Sequence, residues 1–149
     1  KKRYNLNKYI LLFPFCSPHL SIKKWPYYND LIELITNKFG SEYKVITAPG
    51  PSEIDEANKF KAKSLLDNGK ALDISQLTSL IQDSSFIVAN DTGPAHIAAH
   101  VGVKGLTLFG KHTTADKVNI ERKNFKAIQV SDLNNLSAEK VFERLTNSL

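Results

Sequence analysis

The chain has 149 residues, 42% of them hydrophobic and 23% charged, with a formal net charge of +5. That is enough chain and enough apolar content for one domain with a buried core, and it excludes a disordered or fibrous polypeptide. The apolar runs are strand-sized, which excludes a membrane-spanning helix, and a single cysteine, Cys16, excludes an internal disulfide and fits a reducing compartment.

In chain order, Tyr9-Ile-Leu-Leu-Phe-Pro-Phe15 predicts a buried first strand, ended by Pro14 and followed by a polar loop from Ser17 to Lys24. Trp25-Pro26 opens a helix, because proline suits a first turn. Leu31, Ile32, Leu34, Ile35 and Phe39 give it an apolar face of period 3.6, and Gly40 stops it. Lys44-Val-Ile-Thr47 predicts a second strand with Ala48-Pro-Gly-Pro51 as its loop. Ser52, followed by Glu53, Asp55 and Glu56, predicts a capped helix start, with the helix running to about Leu66.

Ala71-Leu-Asp73 predicts a short strand, and Ser75 predicts the cap of a helix carrying Leu77, Leu80 and Ile81. Phe86 to Asn90 predicts a strand, then a polar turn Asp91-Thr92-Gly93-Pro94, a small-residue helix from Pro94 and another strand from Gly105 to Phe109. A last strand over Phe125 to Val130 and a last helix over Ala138 to Leu145 complete the chain. Strands alternate with helices throughout, so the expected class is α/β, a parallel sheet covered on both faces.

In such a sheet the strand-to-helix loops open on one edge, where ligands bind. Here those loops bring Ser17, Lys23, Lys24, Glu53, Asp91, Thr92, Gly93, Lys111 and Thr113 to one rim. Cations, hydroxyls and backbone donors, with one carboxylate able to accept from a ribose diol, suit a nucleotide diphosphate. The helix after Gly93 aims free N–H groups and its positive dipole end into the same space, where a phosphate is the natural guest. Gly93 allows close approach to the backbone, and Thr92 offers both N–H and hydroxyl. Asp91 suits either a helix cap or direct ligation, and the two are compatible.

His96 and His100 share a helix face at i, i+4 spacing. A zinc site is not expected, because Ile97 stands where a zinc protease needs its glutamate and no third ligand follows. His96, in the first turn, faces the proposed site, whereas His100 reads as structural or surface. Trp25 reads as a packing anchor and Cys16 as an inert small residue. Neither G-x-G-x-x-G nor G-x-x-x-x-G-K-[ST] occurs, which argues against a dinucleotide Rossmann domain and a P-loop ATPase. Arginine occurs only at positions 3, 122 and 144, so no nucleic-acid partner is expected. The positive charge reads as a lysine-rich solvated surface or as attraction to an anionic ligand or membrane face. The chain contains no methionine, so it is expected to be part of a longer one.

Asn90-Asp-Thr-Gly-Pro-Ala-His-Ile-Ala-Ala99, the following Gly102 and Leu106-Thr-Leu-Phe-Gly110, Phe13-Pro-Phe15, Lys23-Lys-Trp-Pro26, Pro49-Gly-Pro-Ser-Glu53 and Leu72-Asp-Ile-Ser75 together resemble the C-terminal half of the ADP-heptose–lipopolysaccharide heptosyltransferases, glycosyltransferase family 9. The resemblance implies a Rossmann-like domain spanning 1–149, the C-terminal half of a GT-B fold, that binds a nucleotide-sugar donor. It implies that Asp91, Thr92, Gly93 and His96 surround the diphosphate and sugar, that Ser17 and Lys23 also hold phosphate or sugar, and that Glu53 accepts from the ribose. It implies inverting transfer of a heptose from ADP-heptose to a lipid-linked saccharide acceptor at the cytoplasmic face of the inner membrane, with no cofactor and no essential metal. The general base and the acceptor site then belong to an N-terminal domain outside this chain. The family's G-P-T-x-P loop is replaced by Gly110-Lys-His-Thr-Thr-Ala-Asp116, so the donor's identity stays open. Two other readings stand beside this one: a non-catalytic donor-binding or scaffold module, and another GT-B enzyme such as a sugar-nucleotide epimerase.

Overall fold

The computed structural model describes residues 8–15, 25–40, 42–90, 93–110 and 123–149. Six strands form one sheet: β1 (Tyr9–Phe13), β2 (Lys44–Thr47), β3 (Lys63–Ser64), β4 (Phe86–Asn90), β5 (Gly105–Phe109) and β6 (Phe125–Gln129). The spatial order is β3-β2-β1-β4-β5-β6, and every pairing is parallel. This is the doubly wound order, in which the winding reverses between β1 and β4 and a crevice opens at their carboxyl ends.

Alternation along the strands divides the core into two layers. Ile10, Leu12, Phe86, Val88, Leu106 and Leu108 face α1 (Tyr28–Phe39) and α5 (Ala138–Ser148). Tyr9, Leu11, Phe13, Ile87, Ala89 and Phe109 face α3 (Ile74–Asp83) and α4 (Gly93–Val101). Tyr28, Leu31, Ile32 and Ile35 are the buried stripe of α1, and each fully buried aliphatic side chain contributes about 1.5–3 kcal/mol. Ala95, Ala98 and Ala99 form the buried stripe of α4 and let that helix lie close to the sheet. Gly102, at φ +81°, ends α4 in the left-handed conformation that an L side chain resists; its N–H and that of Val103 both return to the Ala98 carbonyl.

Several elements depart from the sequence-based expectation. β1 ends at Phe13 and α1 begins at Tyr28, after a turn at Pro26-Tyr27. The helix expected from Ser52 to Leu66 is a single turn, α2 (Ile54–Ala57). Asn29 on α1 explains its early end. Its side chain accepts from the Lys61 N–H at 2.9 Å and donates to the Lys59 carbonyl at 3.1 Å, taking backbone groups that a continuing helix would need. The edge strand is Lys63–Ser64, not Ala71–Asp73. Asp73 instead caps α3, accepting from the Gln76 N–H at 2.7 Å while the Gln76 side chain accepts from the Asp73 N–H at 2.9 Å. Ser75 therefore lies inside the helix. Among the described residues no helix is long and apolar enough to cross a membrane.

Candidate functional site

A cavity of about 190 Å³ opens at the carboxyl edge of the sheet on the α3/α4 side. Phe13 and Phe15 form one wall, Ala48, Pro49 and Gly50 another, and Leu72, Leu77 and Pro94 close it. Among the described residues, the charged side chain on its lining is Glu53. Three of the lining segments arrive there from strand ends: Phe13 terminates β1, Ala48 follows β2, and Pro94 is the second residue of the helix that follows β4; Leu77 comes from α3.

Glu53 is held in place locally. Its Oε1 accepts from the Gly50 N–H at 2.8 Å, which ties the carboxylate to the loop after β2. The interaction uses one of two carboxylate oxygens, leaving acceptor capacity for a diol. α4 begins at Gly93, so its first N–H groups, which lack intrahelical partners, lie at the same edge as Pro94. The site therefore presents an apolar slot, a carboxylate and a helix N-terminus. A planar apolar ring, a hydroxyl pair and an anion are the groups that match these three surfaces.

Behind this edge, on the opposite face of the sheet, lies a buried polar knot. Asn90 closes β4 and is completely buried. Its Oδ1 accepts from the Tyr28 hydroxyl at 3.0 Å and from the Trp25 N–H at 3.3 Å. The Trp25 indole N–H donates in turn to the Leu136 carbonyl at 2.7 Å, and the Trp25 and Tyr28 rings meet edge to face at 5.0 Å. From sequence, Asn90 reads as the end of an apolar run and the start of the Asn90–Ala99 motif, and Trp25 as a packing anchor. A polar residue closing an otherwise apolar strand marks the position in the sequence, but not the partners it meets.

Of the residues that sequence reasoning assigned to the site, Glu53 lines the cavity, Gly93 is the first residue of α4 and His96 sits exposed in that helix's first turn. Ser17, Lys23, Asp91 and Thr92, together with Lys24, Lys111 and Thr113, lie outside the described residues. His100, one turn beyond His96, is exposed as well. The lining residues Phe13, Phe15, Leu72 and Leu77 were not anticipated as site residues. Their types are those of any core, and only the Phe-Pro-Phe pattern at a strand end could have flagged two of them. Among the described residues no group of three His, Cys, Asp or Glu side chains could hold a metal ion.

A family model described as glycosyltransferase family 9 (heptosyltransferase) matches residues 1–145, and the chain belongs to that family. Comparison with curated proteins returns no match. Among solved structures, E. coli heptosyltransferase WaaC with ADP is similar at a TM-score of 0.80 and 20% identity, over 99% of this chain and 47% of that one. E. coli ADP-heptose lps heptosyltransferase II is similar at 0.80 and 19% identity, over 99% of this chain and 49% of its own. WaaC with ADP-2-deoxy-2-fluoro heptose gives 0.77 at 19% identity, over 98% of this chain and 46% of that one. The chain thus spans about half the length of these relatives, and at such identities the likeness is one of fold. Their shared architecture agrees with the expected Rossmann-like half of a GT-B fold.

Proposed function

We propose that this member of glycosyltransferase family 9 is the donor-binding half of a glycosyltransferase, taking a nucleotide-diphospho-sugar, ADP-heptose in the first instance, at the carboxyl edge of its sheet. The carrying observation is the apolar cavity with the Glu53 carboxylate on its wall and the α4 N-terminus at its rim. At about 190 Å³ the cavity is smaller than the roughly 300–1,000 Å³ of a pocket that engulfs a whole ligand. It suits the nucleoside end of a donor and leaves the diphosphate and sugar outside, toward Gly93 and His96.

In this reading the base lies against Phe13, Phe15 and Leu77, and Glu53 accepts from the ribose hydroxyls. The diphosphate lies before α4, where backbone N–H groups and the helix dipole favour negative charge without a metal. Asp91, Thr92, Ser17 and Lys23 are assigned to the diphosphate and sugar by their motif positions. The preorganised positive end of the helix stabilises the charge that develops on the departing diphosphate as the sugar leaves. The general base and the site for the acceptor, a lipopolysaccharide core, belong to a further domain, and the whole enzyme works at the cytoplasmic face of the inner membrane.

Calorimetric titration with ADP, ADP-heptose, UDP, GDP and CMP tests the reading. ADP and ADP-heptose are expected to bind, with ADP protecting the fold by about 2.7 kcal/mol at a hundredfold excess over Kd. Binding of none of the five overturns it.

A further inference from the structure

The geometry points to Tyr28 and Asn90 as a positioning pair that sets where β4 ends and the donor-facing helix α4 begins, an inference that rests on the donor-site reading above. Asn90 ends β4, and the next three residues in the chain are Asp91, Thr92 and Gly93. Its side-chain oxygen receives the Tyr28 hydroxyl at 3.0 Å and the Trp25 N–H at 3.3 Å. The orientation of the amide is fixed by chemistry, because the Trp25 N–H can only donate and the group facing it must be the oxygen.

One buried amide therefore gathers two ends of chain. Trp25 is where the first strand-to-helix connection, which carries Ser17 and Lys23, rejoins the described fold. Asn90 is where the connection carrying Asp91 and Thr92 departs. Those two connections hold four of the seven residues assigned to the donor, and the oxygen of Asn90 sets the spacing between their anchored ends. Tyr28 belongs to the regular part of α1, so it adds a rigid third point.

The residue types are otherwise hard to account for. Phe86 and Val88 share the Asn90 face of β4, and an aliphatic residue would continue that row. Burying an amide is unfavourable, and the two hydrogen bonds to the Asn90 oxygen offset part of that cost. A polar side chain at this position is explained if it holds something that an aliphatic one would not hold, and what it holds are Trp25 and Tyr28.

The test uses Tyr28→Phe, which keeps the ring contacts with Trp25 and Phe60 and removes only the hydroxyl. Tyr27→Phe is the matched control. It deletes a hydroxyl from the neighbouring residue that donates to the Asn134 carbonyl at 2.7 Å, away from the start of α4. Calorimetry with ADP and amide NMR spectra without ligand are recorded for the wild type and both variants.

Tyr28→Phe is expected to weaken ADP binding about three- to tenfold, the range of one hydrogen bond's worth of preorganisation. It is also expected to move the Gly93 and His96 amide resonances, while those of Leu31 and Ile35 in the middle of α1 stay. Tyr27→Phe is expected to leave both readouts as in the wild type. Wild-type affinity in Tyr28→Phe with unmoved Gly93 and His96 amides overturns the inference. An equal loss of affinity in Tyr27→Phe overturns it too, by assigning the effect to general destabilisation. Failure of the wild type to bind ADP, UDP, GDP or CMP overturns the donor reading instead, and the ligand-free spectra then still decide whether Tyr28 sets the start of α4.

Discussion

The Glu53 carboxylate reaches back to accept the Gly50 N–H at 2.8 Å, and the bare Cα of Gly50 leaves it the room, since a Cβ there would stand 3.1 Å from the same oxygen. The carboxylate is thereby aimed at the cavity before any ligand arrives. Glu53→Ala removes a charged acceptor, which a ribose diol would value at about 1.5–3 kcal/mol, so the ADP Kd should rise about tenfold or more. The 2′,3′-dideoxy analogue should bind the wild type and Glu53→Ala alike. Gly50→Ala should shift the carboxylate by a few tenths of an ångström and weaken ADP by less than Glu53→Ala does. Equal losses for the diol and dideoxy ligands would remove Glu53 from the ribose.

Gly105 opens β5 between two filled neighbours. A Cβ on it would lie 2.7 Å from the Ile87 carbonyl oxygen and 2.7 Å from the Phe125 ring. Ile87 is its partner in the central strand β4 and Phe125 its partner in the edge strand β6, and the Ile87 carbonyl, held in the middle of the sheet, cannot yield cheaply. Gly105→Ala should cost about 1–3 kcal/mol or more by overpacking, read as a lowered melting temperature. Phe125→Leu in the Gly105→Ala background should recover part of the loss, because the ring edge is the softer of the two obstacles.

The strands at the centre of the sheet were legible because hydrophobicity and position agree there. Tyr9 to Phe13, Phe86 to Asn90 and Gly105 to Phe109 are apolar runs of strand length, bounded by proline or polar turns. The edge strand was not legible. Lys63–Ser64 has only two residues, neither apolar, and it exists through pairing with Ile46 and Thr47, which leaves no periodic signal. Ala71-Leu-Asp73 was mistaken for it because an apolar pair before a cap reads like a short strand. The helix expected to reach Leu66 failed for a tertiary reason, the Asn29 side chain, which local propensity does not contain. At the site, Glu53 and Gly93 could be placed by their motifs and loops. The apolar lining and the Asn90 knot could not, since which phenylalanines line a void and which donors meet a buried amide are decided by packing between distant segments.

Asp73 holds the end of α3 that faces the cavity. Its carboxylate accepts from the Gln76 N–H, Gln76 returns the contact, and the Gln76 Nε2 also donates to Asp67 at 2.8 Å. Leu77, the next residue after Gln76, lines the cavity. Asp73→Ala should cost about 1 kcal/mol, or about 2–4 °C in melting temperature for a chain of this size. Asp73→Asn, which keeps an oxygen acceptor, should lose less. The helix start also carries Ile74, 69% exposed, which contributes little to holding it.

Tyr9 gives the fold a weakness toward alkali. Its ring is fully buried at the start of β1, and its hydroxyl donates to the Leu80 carbonyl at 2.5 Å, tying the sheet to α3. Burial first, and the Asp83 carboxylate second, push its ionisation well above the usual tyrosine range. The folded state therefore keeps the proton at pH values where the unfolded chain, with a tyrosine pKa of about 10, gives it up. Above about pH 10 the unfolded state binds fewer protons, so this group's contribution, fully present below that pH, declines by about 1.4 kcal/mol per pH unit until the folded-state pKa is reached. Tyr9→Phe should be less stable than the wild type at pH 7, by about 0.5–1.5 kcal/mol for the lost hydrogen bond, yet fall away more slowly above pH 10. Denaturant melts of both proteins at pH 7, 9, 10 and 11 measure the difference, which cancels the lysines and the other tyrosines. Parallel decline of the two proteins above pH 10 would show that the Tyr9 hydroxyl ionises in the folded state as readily as in the unfolded one.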